Sequence, residues 1–460
     1  MMNIYVIFTV EGKCRKLKKT ACFIMLFMMS LFFTGCEFDE IDALLSPPKL
    51  SRHQQEISQA LKEKSGKKLK LKYPKSGEYR SAFVISNIDD EPTEEAIVFY
   101  ENTLKDGSSG NIRIDILDNK DDEWISVFSH PVTATEVEEV MISKIGNSDE
   151  LYIIVGYSTM GQRDKTAEIY KYSSDSTLVT VYTAKYSDMI LTDLEGSGTK
   201  QLVIITPKTV DTSFVAKIVS YFDGELVIKD AIALSDDMSR IVKMTPGYVS
   251  TDRNALYIDA VPAVKDENAP KNHNNIQTQI IYYANGELKN PLILDRGILM
   301  EMTLREDGYY CYDIDDDGIV EIPHPTACPR YENTESKMYF TDWFVYERAS
   351  FMRKCTSYYN ITDGYCFILP NRWNGTVTVK VDPVTDEIVF YKFDKNKATD
   401  DTELMRILTC RSSESDDFLK EGYKKVASKG QFEYLVKLSD KKESLVPTWG
   451  EVIFNFINIK

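Results

Sequence analysis

Asp313-Ile314-Asp315-Asp316-Asp317-Gly318-Ile319-Val320-Glu321 is the stretch from which the fold of this 460-residue chain can be read. Acids alternate at Asp313, Asp315 and Asp317, Gly318 permits a tight turn with positive φ, and Glu321 returns at the ninth position. Three carboxylates, the Ile319 carbonyl and Glu321 are hard oxygen ligands at the spacing a loop needs to wrap a divalent cation such as Ca2+. Three aspartates in a solvated turn satisfy the same pattern without a metal.

Degraded copies of the loop recur upstream. Without gaps, Asn87, Asp89, Glu91 and Glu95 fall on Asp313, Asp315, Asp317 and Glu321, and Asp193, Glu195, Ser197, Gly198 and Gln201 fit the same frame. Weaker echoes run from Ser143 to Leu151 and from Ser250 to Leu256. Short apolar runs flank the copies, as Met189-Ile190-Leu191 and Leu202-Val203-Ile204-Ile205 do around the third, so each unit reads strand, acidic turn, strand. Asn87 and Asp313 lie four repeats apart, a period of about 56 residues that suits a four-stranded propeller blade. A second feature keeps the period. Tyr221-Phe222-Asp223-Gly224-Glu225-Leu226 matches Tyr283-Ala284-Asn285-Gly286-Glu287-Leu288, and the Asp-Gly and Asn-Gly pairs are turns between the third and fourth strands. The competing reading is a single meandering β domain with common turns.

The loop and its blade resemble the FG-GAP or VCBS repeats of integrin-α-type β-propellers, in which the acidic loop joins the first two strands of a blade and binds calcium. The resemblance covers about Ser81 to Tyr359. It implies a structural Ca2+ held by Asp313, Asp315, Asp317, Ile319 and Glu321. The first copy has Pro92 in place of the glycine, the third has Ser197 and Gln201, and the second and fourth have lost the pattern, which confines the calcium expectation to the fifth loop.

The N-terminus indicates where the fold works. Lys13, Arg15, Lys16, Lys18 and Lys19 precede an apolar run from Ala21 to Phe33 that is too short to span a bilayer, an order of residues that signals export. Phe33-Thr34-Gly35-Cys36 resembles the lipobox of bacterial lipoproteins, with Phe33 where leucine is usual; it implies cleavage before Cys36, lipidation of Cys36, and an extracytoplasmic, membrane-anchored protein. Residues 1–35 are then the signal peptide and 36–78 an anchor and linker. Within that linker Ser51 and Gln54 can cap a helix running to about Lys64, and Lys62, Lys64, Lys67, Lys68, Lys70, Lys72 and Lys75 form a basic run suited to solvent or to anionic head groups.

A formal charge of -16 argues against nucleic acid as partner. Cys311, Cys328, Cys355, Cys366 and Cys410 are odd in number and lack the paired short spacing of a zinc site, so most read as small buried residues, with one disulfide open.

The expected fold is mainly β: a propeller of about five four-stranded blades over 79–359, then a small α+β domain over 360–460. In the latter, Thr376–Val381, Glu387–Phe393, Gln431–Leu438 and Glu451–Ile459 read as strands, and Thr402–Cys410 and Ser415–Ala427 as helices. Through Leu369-Pro370 and Trp373 this module resembles a domain of uncharacterised clostridial lipoproteins, a resemblance that implies no activity.

Motifs for catalysis are absent: there is no Gly-x-Ser-x-Gly elbow, no His-Glu-x-x-His and no phosphate-binding glycine loop, and His324 is the lone histidine beside the acidic loop. Aromatic pairs such as Tyr309-Tyr310, Tyr339-Phe340, Trp343-Phe344 and Tyr358-Tyr359 place about half their members in the core by strand alternation and leave the rest for sugars or proteins. The expectation is a non-catalytic binding protein of the cell envelope, anchored through lipid and facing an envelope protein or polysaccharide. An extracytoplasmic hydrolase of glycans or peptides and a structural scaffold are the alternatives.

Overall fold

The computed structural model describes residues 50–65, 69–89, 91–103, 109–121, 123–161, 164–173, 175–263, 275–293, 301–332, 338–397 and 402–459. The segment expected as a signal peptide, and Cys36, lie outside them. The chain divides into two compact units, Met1–Ala60 and Leu61–Lys460. Helix α1 (Arg52–Ser65) begins at the expected cap, where the Gln54 N–H donates to Ser51 Oγ at 3.2 Å and the Ser51 N–H to Gln54 Oε1 at 3.0 Å. No helix of the described residues is long and apolar enough to cross a membrane.

The described residues from Leu69 on are mainly β, in successive antiparallel sheets. Sheet 1 comprises β1 (Leu69–Leu71), β2 (Phe83–Ser86), β3 (Glu95–Thr103), β4 (Ser109–Lys120) and β5 (Glu123–Val132), with β1 and β2 sharing one edge of β3. Sheet 2 is β6 (Glu136–Ser143), β7 (Tyr152–Ser158), β8 (Lys165–Ser173) and β9 (Thr177–Tyr186). Sheet 3 is β10 (Asp188–Thr192), β11 (Gln201–Thr206), β12 (Val215–Phe222) and β13 (Glu225–Ala233). Sheet 4 is β14 (Met238–Ser250), β15 (Arg253–Pro262), β16 (Asn275–Ala284) and β17 (Glu287–Lys289), with β18 (Arg305–Glu306) on β16. Sheet 5 is β19 (Ile322–Ala327), β20 (Tyr339–Glu347), β21 (Ser350–Asn360) and β22 (Tyr365–Ile368).

Alternation along single strands explains why these sheets pack in series. In β7, Ile153 and Val155 join Phe99 and Ile114 of sheet 1, while Ile154 joins Leu202 and Ile204 of sheet 3. In β11, Val203 and Ile205 turn the other way, to Leu256 and Ile258 of sheet 4, and Tyr257 between those two meets Val320 and Ile322 of sheet 5. A strand buried on both faces reads as an apolar run, and residues 152–155 of β7, 202–205 of β11 and 255–258 of β15 read that way in the sequence. The fourth strands β9 and β13 are mostly exposed.

The expected boundary near Asn360 falls inside sheet 5, because β22 pairs with β21. The next sheet, β23 (Val377–Val381), β24 (Ile388–Lys392), β25 (Glu403–Arg411), β26 (Lys424–Lys429) and β27 (Phe432–Leu438), packs on it through one core in which Phe340, Tyr358 and Phe367 meet Trp373, Phe390 and Val436. Three elements differ from expectation. Thr402–Cys410 was expected as a helix, but Glu403–Arg411 is a strand held between β24 and β27, with Leu404, Met405 and Ile407 all buried. The helix expected over Ser415–Ala427 stops as α2 (Ser415–Lys420), ahead of Gly422 at φ +96°, and the chain continues as β26. The strand expected over Glu451–Ile459 is α3 (Trp449–Asn455), opened by a capping box between Thr448 and Glu451, then β28 (Phe456–Asn458), which returns to the edge of β22.

Candidate functional site

The acidic copies sit where strand one turns into strand two: residues 87–94 between β2 and β3, 144–151 between β6 and β7, and 193–200 between β10 and β11. The fifth loop is closed by a bridge between Tyr312 and Glu321 ahead of β19. The fourth echo is no loop at all, since β14 and β15 join through a two-residue turn at Thr251-Asp252.

One contact builds the loop in three copies. The ninth-position side chain turns back and accepts the backbone N–H of the second residue: Glu321 from Ile314 (2.9 Å), Glu95 from Ile88 (2.8 Å) and Gln201 from Leu194 (2.9 Å). The N–H donor belongs each time to a buried apolar residue, so the side chain satisfies a group that water cannot reach. At the first position both oxygens of Asp313 accept from the Asp317 and Gly318 N–H groups, as those of Asp193 do from Ser197 and Gly198. Gly318 has φ +87°, as the turn requires, and Ile319 enters the loop through its N–H, which donates to Asp317 Oδ1 at 2.8 Å.

The predicted ligands Asp313, Asp315 and Asp317 therefore converge, with one carboxylate oxygen of each within 4.8 Å of the others. The centre of the loop also receives a side chain that loop spacing does not reveal. Lys354 Nζ lies 2.7 Å from Asp315 Oδ1, 2.6 Å from Asp317 Oδ2 and 2.8 Å from Glu321 Oε1. Burial alone would lower the Lys354 pKa, but the three carboxylates outweigh it and hold the ammonium well above the usual lysine range. The carboxylate set suits calcium; the space between Asp315, Asp317 and Glu321 is spanned by the ammonium.

Lys354 reaches the loop because of a β-bulge. Trp343 pairs with Cys355 and Phe344 with Arg353, so Lys354 is the extra residue of β21. The same irregularity recurs between the strands of the corresponding hairpins, making Val127, Val181 and Lys229 the extra residues of β5, β9 and β13. Lys229 repeats the contact, with Nζ 2.5 Å from Glu195 Oε1 at the third loop position. In sheet 1 the bulge residue is Val127; there, among the described residues, Glu95 Oε1 and Asp118 Oδ1 are buried without a hydrogen-bond partner. Burial, aided by Asp89, Asp118 and Glu91 and opposed by the Ile88 N–H, pushes the Glu95 carboxyl up to about 7.

Grooves open beside these loops. One of about 520 Å³ runs between loops one and two and is lined by Asp89, Lys144, Glu150, Lys171 and Tyr172. A second, of about 450 Å³, lies between loops two and three, with Asn147, Glu195, Tyr221, Phe222 and Lys229 on its walls. A third, of about 270 Å³, joins the β14–β15 turn to the β20–β21 turn and carries Asp252, Arg253, Tyr282, Tyr346 and Arg348. Each combines an acid, a base and an aromatic ring. Of the aromatic pairs, Tyr309, Phe340, Trp343 and Tyr358 are buried, while Tyr310, Tyr339, Phe344 and Tyr359 are half-buried, the division that alternation predicts. His324 is a strand residue of β19 whose ring meets Phe344 edge-on. The five cysteines from Cys311 on are free thiols, with Cys355 half-buried and the others buried.

No family model matches the chain, and no curated protein matches it. Among solved structures, Bombyx mori GH32 beta-fructofuranosidase BmSUC1 aligns over 67% of this chain and 68% of its own at 11% identity, with a TM-score of 0.25. Likeness at that level carries no argument about fold or activity.

Proposed function

We propose that this chain is an exported lipoprotein, anchored through an acylated Cys36, whose sheets are propeller blades that bind an envelope polysaccharide without cleaving it. The anchor rests on the basic, apolar and Gly35-Cys36 sequence of the N-terminus. The blade reading rests on the serial packing and on loops, hairpin turns and bulges that recur in register. One observation carries the binding reading: the groove between loops two and three sets Tyr221 and the exposed ring of Phe222 beside the Glu195 carboxylate and the Lys229 ammonium. Sugars present apolar faces that stack on aromatic rings and hydroxyls that bond to charged groups.

The test uses the mature chain with Cys36→Ser, mixed with insoluble cell-wall polysaccharide. Retention that falls at least tenfold in the Tyr221→Ala, Phe222→Ala double variant supports the reading. Equal retention of both proteins, or capture only by envelope proteins, rejects it. New reducing ends in the supernatant would turn the assignment to a hydrolase.

A further inference from the structure

We infer that Lys354 stands in for a divalent cation in the fifth loop, leaving a latent cation site that is closed by the chain's own ammonium. Three observations carry this. First, four further carboxylate oxygens of the loop are engaged by its own backbone: both oxygens of Asp313 accept backbone N–H groups, Asp317 Oδ1 accepts from Ile319, and Glu321 Oε2 accepts from Ile314. Asp315 Oδ1, Asp317 Oδ2 and Glu321 Oε1 are the oxygens that face Lys354, and an ammonium has three protons to give them. Second, the contacts of 2.6 to 2.8 Å are only slightly longer than the 2.3–2.6 Å of calcium–oxygen bonds, so ion and ammonium compete for one space. Third, the arrangement recurs. Lys229 sits at the equivalent bulge of sheet 3 and pairs with Glu195, and there Gln201 has replaced the ninth-position acid, so that loop carries fewer charges to neutralise.

The lysine is tied to the site by backbone geometry. Lys229 and Lys354 each lie six residues after the positive-φ residue that opens their hairpin turn, Asp223 (φ 49°) and Arg348 (φ 52°). The bulge adds one residue to the outer strand and so aims a long side chain along the sheet toward the loop. An ion bound from solution makes loop order depend on its concentration, whereas a tethered ammonium removes that dependence.

Calcium titration by calorimetry and melting in 1 mM Ca2+ or excess EDTA decide the matter, using the wild-type chain, Asp315→Asn, Lys354→Met and Lys354→Met with Asp315→Asn. The wild type is expected to show no calcium response that Asp315→Asn abolishes. Lys354→Met, with a neutral side chain of similar length, is expected to take up one further Ca2+ and to melt about 2 to 4 °C higher with calcium than with EDTA. Adding Asp315→Asn removes that gain. If Lys354→Met folds only in calcium, the proposal stands; if calcium does not recover it, or it folds and takes up no further Ca2+, the proposal falls. Calcium uptake by the wild type that Asp315→Asn abolishes overturns it as well.

Discussion

Glu95 and Asp118 face each other as register partners across β3 and β4, both buried, each with one carboxylate oxygen that meets no partner among the described residues. Lys120 reaches only the far oxygen of Asp118, at 2.9 Å. Like charges opposite one another in a sheet are unfavourable, and burial sharpens the cost. Protonating Glu95 relieves it. The Glu95 carboxyl rises from its usual value to about 7 in the folded chain, so between about pH 4.5 and 7 the folded state holds more protons than the unfolded. The resulting stability is full below about pH 4.5 and is lost as pH rises through 7. Urea denaturation is expected to give a chain less stable by about 2 kcal/mol at pH 7.5 than at pH 5 from this group. Glu95→Gln should flatten that slope without losing the loop, because Gln201 makes the same bond to Leu194 in sheet 3. An unchanged slope in the variant counts against the assignment.

Arg305 is a buried cation with every bond inside the protein. It donates to Asp259 (2.7 Å), Thr278 (2.8 Å) and the carbonyls of Thr303 (2.7 Å) and Tyr309 (2.5 Å), and Asp259 in turn accepts the Cys311 N–H at 2.9 Å. Removing one partner strands the other charge, so Arg305→Met should cost about 3 to 5 kcal/mol. The Arg305→Met, Asp259→Asn double variant should cost clearly less than the sum of the two single changes. Additive losses in a double-mutant cycle would show that the two charges act independently.

The acidic loop and the Asp-Gly and Asn-Gly turns were legible because a turn needs particular residues at fixed local spacing. Both Asp223 and Asn285 do take positive φ, at 49° and 55°. Lys354 was illegible from the loop because it lies 33 to 39 residues from the carboxylates it meets, and only the sheet register brings it there. The strand Glu403–Arg411 was misread for a different reason. Leu404, Ile407 and Leu408 have helical spacing, but a central strand buried on both faces also collects apolar residues at any spacing, and β-branched Ile407 and Thr409 favoured the strand. The groove rings gave no local signal, since exposure of Tyr221 or Phe222 depends on the neighbouring sheet.

Cys36 supplies a prediction independent of the fold. The lipid proposed for Cys36 would be carried on its thiol, and membrane attachment would then depend on that side chain. Full-length protein made in a bacterium should incorporate labelled palmitate and sediment with membranes. Cys36→Ala should abolish the label and move the protein out of the membrane pellet. Label that persists in the variant would place the anchor elsewhere.

Gly198 and Gly318 hold the same position in two loops and separate two costs of losing a glycine. Their φ values are similar, +81° and +87°, so alanine pays a comparable backbone penalty of about 1 kcal/mol at each. Their surroundings differ. A Cβ at Gly198 meets nothing within 4 Å, whereas at Gly318 it falls 2.7 and 2.9 Å from ring carbons of Tyr248. The Tyr248 main chain is fixed, because its N–H donates to the Gly318 carbonyl at 2.8 Å and its carbonyl accepts from Val320 at 3.0 Å, stitching sheet 4 to the loop of sheet 5, so the new Cβ has to be met by turning the exposed ring out of its rotamer. Gly318→Ala should therefore lose about 1 to 3 kcal/mol more than Gly198→Ala in urea denaturation. Tyr248→Ala should remove most of that excess from the Gly318→Ala background, since it deletes the ring while keeping the backbone bonds. Equal losses at the two glycines would mean that the ring moves aside freely and that the seam between sheets 4 and 5 is held by the backbone bonds alone.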